Sequence, residues 1–344
     1  MIKKKIIRRF KIKDLINRNF FKTFIVAEIG INHDGDFKKC KKLIDVSSKA
    51  GADAVKLQTI NPKESYHENT KSFKAFKNKD FSLKELMLLK KFAEKRKIIL
   101  FSTPGDIPSL EKISKAGFKL VKISSGLCTN LPLIEATAKK KIPMIISTGM
   151  TYLDEIKNAI QSAKKYNNVC VGLLKCTSLY PANDTQINLN SIRALEKKFN
   201  IPVGFSDHTL DDLAACASIA KGGKIIEKHI TLNKKLGGAD HKISLNPLEF
   251  KKMVKKIRRV EKLLGSEKIS PTKEEIRKKN TTQRYIFSKL KITKGKKINL
   301  NNIVFKRSNL KKNNALKAQM FNKYKKIKVK KNIQKNNIIK SSFF

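Results

Sequence analysis

Short runs of apolar residues, rich in Val and Ile, recur from Phe24 onward roughly every 20–45 residues, and the segments between them carry a helical period. The runs fall at residues 24–30, 54–58, 98–103, 120–125, 144–149, 169–177, 203–208 and 225–231. Near-continuous apolar strands alternating with helices predict a parallel sheet covered on both faces. Eight such units within about 240 residues fit an α/β fold of the (β/α)8, or TIM-barrel, type. A doubly wound open sheet is the runner-up, because the pattern does not show closure.

The intervening segments support helices. Residues 38–50 place Cys40, Leu43, Ile44, Val46 and Ser47 on one side and stop at Gly51. Residues 83–95 carry Leu86, Leu89 and Ala93 at helical spacing, and residues 211–220 present a small, Ala-rich face. Gly117 and Gly222 stand where a helix C-terminus precedes the next strand.

Each apolar run turns polar at its end. In order the ends carry Glu28 and Asn32; Lys56 and Gln58; Ser102 and Thr103; Lys122, Ser124 and Ser125; Ser147 and Thr148; Thr177 and Ser178; Ser206, Asp207 and His208; and Glu227 and His229. In a barrel these ends share one mouth, where chemistry is placed. Lysines and hydroxyls there suit a phosphate or carboxylate. Glu28, Asp207 and the histidines suit a divalent cation or proton transfer. His208 and His229, on consecutive strand ends, could share one metal ion, or could be two satisfied imidazoles; the residues alone leave both open.

Composition narrows the class. With 344 residues and 40% hydrophobic content, the chain can build one large domain and a small one. No stretch reaches about 18 consecutive apolar residues, so no transmembrane helix is expected. Cys40, Cys128, Cys170, Cys176 and Cys216 show no CxxC spacing and read as reduced thiols of a cytoplasmic protein. The net charge of +49 comes from 77 Lys and Arg against 28 Asp and Glu. Lysines occupy nearly every predicted helix and loop rather than one stripe interleaved with aromatics, and Asn and Ile are plentiful beside them. A lysine-biased composition accounts for this more simply than a nucleic-acid surface. Neither nucleic acid nor membrane is expected as a partner, and the charge favours an anionic small substrate.

Four regions follow: an N-terminal basic capping segment (1–22), the barrel (23–265), a linker with a short helix (266–284) and a small β-rich module (285–344). Residues 1–22 lack the apolar core and cleavage site of a secretory signal. The module contains an internal echo, Ile292-Thr-Lys-Gly295-Lys-Lys-Ile298 against Ile333-Gln-Lys-Asn336-Asn-Ile338-Ile339. Gly and Asn tolerate left-handed turn conformations, so two similar turn units are expected.

Seven segments, in order, carry a family resemblance: Ala27-Glu-Ile-Gly-Ile-Asn-His33-Asp-Gly35, Val55-Lys-Leu-Gln58-Thr59, Ser102-Thr-Pro104, Lys122-Ile-Ser-Ser-Gly126, Ile146-Ser-Thr-Gly-Met150, Gly204-Phe-Ser-Asp-His-Thr209 and Glu227-Lys-His229. The chain resembles sialic acid synthases, including the enzymes that make legionaminic and pseudaminic acids, over about residues 20–310. The 285–344 module resembles the antifreeze-like (SAF) domain of that family. The resemblance implies that phosphoenolpyruvate condenses with the open-chain aldehyde of an N-acylated hexosamine, N-acetylmannosamine or a diacetamido-trideoxyhexose, to give a nonulosonic acid and phosphate. It implies a Mn2+ or Mg2+ ion on His208 and His229, with Glu28 as a catalytic carboxylate. Lys56, Gln58, Thr103, Lys122, Ser125, Ser147 and Ser206 match phosphoenolpyruvate positions. Tyr180, Ser178, Asp240 and Arg307 match sugar-side positions. Arg307 corresponds to an arginine that one subunit presents to the other, which implies a domain-exchanged homodimer.

The chain departs from the family pattern at four places. Leu127 follows Ser125-Gly126 where an acidic residue is usual; Ser308-Asn309 replaces Pro-Gly; Ser178 replaces Asn; and Lys175 replaces His. Leucine cannot move a proton. These changes leave a second expectation beside the synthase: a divergent, low-activity or non-catalytic member that binds phosphoenolpyruvate or sugar.

Overall fold

A computed structural model describes residues 9–166, 170–309 and 313–344, in two compact units, one ending at Gly265 and the other beginning at Ser266. The first unit is a closed barrel of eight parallel strands: β1 (Phe24–Gly30), β2 (Ala54–Thr59), β3 (Ile99–Pro104), β4 (Val121–Ile123), β5 (Met144–Ser147), β6 (Cys170–Cys176), β7 (Val203–Asp207) and β8 (Ile225–His229). Closure rests on β1 pairing with β8 from Phe24↔Ile225 through Glu28↔His229. This pairing excludes the open doubly wound sheet. The strand bounds differ from the expected ones mainly at their C-terminal ends, where the chain leaves the ladder to build the mouth. After β4 the residues Ser125–Leu127 form a 3-10 turn rather than extended strand. Val169, expected to open β6, lies outside the described residues.

The alternation of side chains across each strand explains how an apolar strand delivers a polar end. Inward positions at the strand starts, Phe24, Val26, Ala54, Phe101, Leu120, Ile145, Val171 and Ile225, pack into one interior core. Phe10 and Leu15, the latter on the short helix Ile12–Ile16, join that core at the same end. Outward positions such as Ile25, Ala27, Val55, Val203, Phe205 and Ile226 pack with the surrounding helices. Continuing the inward series up each strand leads to Glu28, Lys56, Thr103, Lys122, Ser147, Cys176, Ser206 and Glu227, all buried. Gly204 is inward and cannot be larger, because a Cβ there would stand 2.1 Å from the Ile225 carbonyl oxygen.

Helix ends are set locally. Asp36 caps the helix Phe37–Ala50 through the amides of Lys38 and Lys39, and Gly51 ends it at φ 94°. Ser82 and Glu85 form a capping box on Leu83–Lys95. The Ala-rich helix begins at Leu213 rather than at 211, with Asp212 at its cap position. Gly117 and Gly222 take φ of 75° and 95° just past their helices.

The second unit opens with the helix Lys273–Thr282 and holds a two-stranded antiparallel sheet, β9 (Tyr285–Ser288) and β10 (Ile303–Lys306). Its strand content is therefore smaller than expected; isolated bridges do most of the pairing. The internal echo is real in three dimensions. Gly295 and Asn336 both adopt positive φ, 83° and 63°. Ile292 and Ile333 exchange two hydrogen bonds, of 2.9 and 2.8 Å. Ile292, Ile298, Ile333 and Ile339 converge on one small core.

Candidate active site

At the C-terminal end of the barrel a cavity of about 630 Å³ opens. Thirteen of the fourteen expected site residues line it: Glu28, Lys56, Gln58, Thr103, Lys122, Ser125, Ser147, Ser178, Tyr180, Ser206, His208, His229 and Asp240. Arg307 is the remaining one; it follows β10 in the second unit.

Two buried lysines and two buried carboxylates form the floor. Lys56 Nζ lies 3.1 Å from Glu28 and 3.3 Å from Glu227, and Lys122 Nζ lies 3.0 Å from Glu227. Ser206 Oγ donates to Glu227 at 2.9 Å, and Gln58 donates to Glu28 at 3.3 Å. Lys56 also reaches Thr103 Oγ1 at 3.4 Å. Ser147 Oγ is buried without a hydrogen-bond partner, so it is open to a ligand oxygen. Glu227, expected only as a polar strand end, is the carboxylate that partners both lysines. The signal was its spacing: Glu227 and His229 stand two apart on one strand and so share the inward face.

The two carboxylates are driven in opposite directions. Burial pushes the Glu28 carboxyl up from 4.5 to about 7, despite the opposing pull of Lys56, and Glu227 adds to the rise. Burial acts the same way on Glu227, but Lys122, Lys56 and the Ser206 hydroxyl outweigh it and hold that carboxyl well below its ordinary range. Burial lowers Lys122 against the pull of Glu227, whereas at Lys56 the two carboxylates outweigh burial and raise it. One carboxylate thus stays ionised as a lysine partner while the other is poised to exchange a proton near neutrality.

The histidines stand beside this floor. Their ring centroids are 5.6 Å apart, and Tyr180 stacks on His208 at 4.2 Å. His208 Nδ1 lies 2.9 Å from the Thr177 carbonyl oxygen and 3.8 Å from Cys176 Sγ. Donation to that carbonyl leaves Nε2 with a lone pair. His229 Nδ1 is buried with no hydrogen-bond partner, and Asp240 lies 3.8 Å away. The reading of two satisfied imidazoles therefore does not hold for His229. Burial and the nearby His208 keep His229 well below its ordinary value, so it is neutral at neutral pH. At His208, burial is outweighed by Cys176 and the Thr177 carbonyl, which raise the imidazole above its ordinary value, so it would give up a proton on binding a divalent ion, whereas His229 is already neutral. Among the described residues no three His, Cys, Asp or Glu side chains gather as a metal cluster, so other positions would fall to substrate and water.

The loops around the mouth are built for close approach. A Cβ at Gly149 would lie 2.4 Å from Ser178 Oγ and 2.6 Å from Ser125 Oγ, so a larger residue would push these two hydroxyls out of their present positions. The Gly149 amide donates to Ser125 Oγ at 3.0 Å. Asn32 joins the first and last strand ends through Ile230 O and Ser244 Oγ, both at 2.9 Å. The segment after β2, including the helix Lys71–Phe76, adds Tyr66, Lys71, Phe76 and Lys79 to the rim. Their contribution had no sequence signal, because it depends on where that insertion folds over the mouth. Leu127 does not line the cavity; it packs against the core between barrel and helices. Lys175 also turns away, donating to the Cys176 carbonyl and the Thr177 hydroxyl.

A sequence profile of the NeuB family matches residues 43–269. An uncharacterized protein of Methanocaldococcus jannaschii is 42% identical over 287 residues, which cover 83% of this chain and 85% of that protein. The chain belongs to the NeuB, or sialic acid synthase, family. The N,N'-diacetyllegionaminic acid synthase of Legionella pneumophila is 35% identical over 302 residues, spanning 83% of this NeuB-family chain and 85% of its relative. The crystal structure of the N-acetylneuraminic acid synthetase of Leptospira borgpetersenii, in complex with citrate, superposes with a TM-score of 0.72 at 36% identity, covering 76% of this chain and 93% of that one.

Proposed function

We propose that this chain condenses phosphoenolpyruvate with the open-chain aldehyde of an N-acylated hexosamine, giving a nonulosonic acid and phosphate. The observation that carries the reading is the convergence of Lys56 and Lys122 with Thr103, Ser147 and Ser206 in the cavity that also holds Glu28, His208 and His229. A substrate bearing a phosphate and a carboxylate would be received by the two lysines and the hydroxyls. Gln58 orients Glu28, and Ser125 sits at the Gly149 turn beside the phosphate-receiving strand ends. Tyr180, Ser178 and Asp240 lie on the histidine side, where the sugar would sit.

In this reading the methylene carbon of phosphoenolpyruvate bonds to the aldehyde carbon, and Glu28, protonated below about pH 7, gives its proton to the aldehyde oxygen. Water then adds to the cationic C2, one of its protons returning to the Glu28 carboxylate and the other leaving with the phosphate, and the bond between C2 and the phosphate oxygen breaks to give the ketone and free phosphate. Lys56 and Lys122 hold the departing phosphate, and the ionised Glu227 fixes both lysines. His208 and His229 would hold Mn2+ or Mg2+, which supplies Lewis-acid polarisation of a carbonyl when bound.

The second unit we read as an SAF-like module whose Arg307 serves the sugar side of a second subunit in a domain-exchanged homodimer. We infer a cytoplasmic enzyme; no helix among the described residues is long and apolar enough to cross a membrane, and the five thiols are free. The replacement of the family's usual acid by Leu127 motivates a second reading, a member with little or no turnover that binds phosphoenolpyruvate or sugar; the packing of Leu127 outside the cavity counts against it.

Phosphate release from phosphoenolpyruvate with Mn2+, measured across N-acetylmannosamine and diacetamido-trideoxyhexose acceptors, separates the two. Sugar-dependent release is expected and names the acceptor class. Phosphoenolpyruvate binding without release for any acceptor would establish the second reading.

A further inference from the structure

The alternation that turns Glu227 and His229 inward turns Lys228 outward, between β8 and the surrounding helices. It is fully buried there, and so is Asp207, its register partner on β7. Lys228 Nζ lies 3.0 Å from Asp207 Oδ2, and both side chains are 0% exposed. The same ammonium donates to the Thr209 carbonyl at 2.5 Å. Asp207 Oδ1 accepts from the Thr209 amide and hydroxyl, each at 2.8 Å. Thus the residues on both sides of His208 are tied to the residue between Glu227 and His229.

Burying such a pair is a poor route to stability. Desolvation of two charges offsets much of their attraction, and a well-packed apolar pair of similar volume is often as stable. What the pair does supply is a fixed offset between two strand ends. One end carries His208, the other His229 and the Glu227 clamp on the lysines.

We infer that Asp207 and Lys228 are positioning residues: their buried ion pair fixes the spacing of the His208 and His229 rings from behind the cavity wall. This inference rests on the synthase reading of the cavity. Neither residue lines the cavity, so neither touches substrate.

Three variants of the full chain test it: Lys228→Met, Asp207→Asn, and the double Asp207→Leu/Lys228→Met. Each is assayed for phosphate release, for Mn2+ binding by calorimetry and for thermal unfolding. The single variants are expected to lose about 10–100-fold in kcat and in Mn2+ affinity, the range seen when groups behind a metal ligand are removed. The phosphoenolpyruvate KM stays within about threefold, because Lys56 and Lys122 keep Glu227 as partner. The double variant regains the wild-type unfolding temperature without regaining kcat or Mn2+ affinity.

A merely structural pair would give the opposite: the double variant would recover all three. That result, or a folded Lys228→Met with wild-type kcat and Mn2+ affinity, overturns the inference. Should the single variants fail to fold, the double variant decides alone. Mn2+ titration reads the histidine pair even in a chain that never turns over, so wild-type binding with no phosphate release would sink the synthase reading while the variants still decide this one. A wild type that binds no Mn2+ overturns the inference.

Discussion

At Glu28 a single carboxyl is exchanged between two charge states by its surroundings. Its folded value, about 7, lies above the ordinary 4.5, with burial as the main cause. The folded chain therefore holds this proton where the unfolded chain releases it. The contribution to stability is present in full below about pH 4.5 and is lost as pH rises through 7. Activity that needs the acid form follows the same sense: kcat/KM should fall above about pH 7 on a limb owned by Glu28. Glu28→Gln should remove that limb and lower kcat by about 10²–10⁴-fold. A pH–rate series on both proteins checks this, and an unchanged limb in the variant would reassign the proton. Glu28, Lys56 and Lys122 were legible as polar ends on apolar strands. Their pKa order was not, since it depends on Glu227 of β8 reaching both Lys56 on β2 and Lys122 on β4 across the barrel mouth.

Among the elements, the strand ends and the turns after them decide what enters the cavity. The turn Ser125–Leu127 shows the rule: Ser125 and Gly126 line the cavity, and Leu127 rotates into the apolar layer. The sequence singles out Leu127 as a missing acid. Its packing gives a different expectation for Leu127→Glu. A carboxylate placed there loses apolar contacts and meets an apolar neighbourhood, so the fold should lose about 1–3 kcal/mol. Turnover should stay within about threefold of wild type. Thermal unfolding and phosphate release measure the two effects. A many-fold rise in turnover would show that a side chain at 127 can reach the cavity and that an acid there is what the chain lacks. The turn was unreadable beforehand because a 3-10 turn and a strand end share the same short sequence, and only packing distinguishes them.

For the molecule as a whole, closure of the barrel brings residues 201 positions apart into one floor, as Glu28 and His229 stand in register. The second unit is organised by its own pseudo-repeat, with Gly295 and Asn336 at equivalent turns. If Arg307 completes the site of another subunit, two inactive variants should rescue each other. Arg307→Ala and His208→Ala, unfolded and refolded together, would form mixed dimers with one intact site in two. About a quarter of wild-type activity is then expected from random pairing. Sedimentation of the wild type should show a dimer. No recovery in a mixture shown to contain hybrid dimers would place Arg307 in its own subunit's site or outside any site.

The sequence by itself determined the strand–helix alternation, the polar character of every strand end and the turn positions at Gly51, Gly117 and Gly295, because these depend on local period, burial and backbone freedom. It also marked thirteen residues that meet in one cavity. The tertiary structure alone decided that the sheet closes, that Glu227 clamps both lysines, that Leu127 leaves the site and that Asp207 and Lys228 meet behind it. Each of these joins residues distant along the chain. Register across strands and the low-dielectric environment it creates fix such contacts, and neither is a property of any local segment.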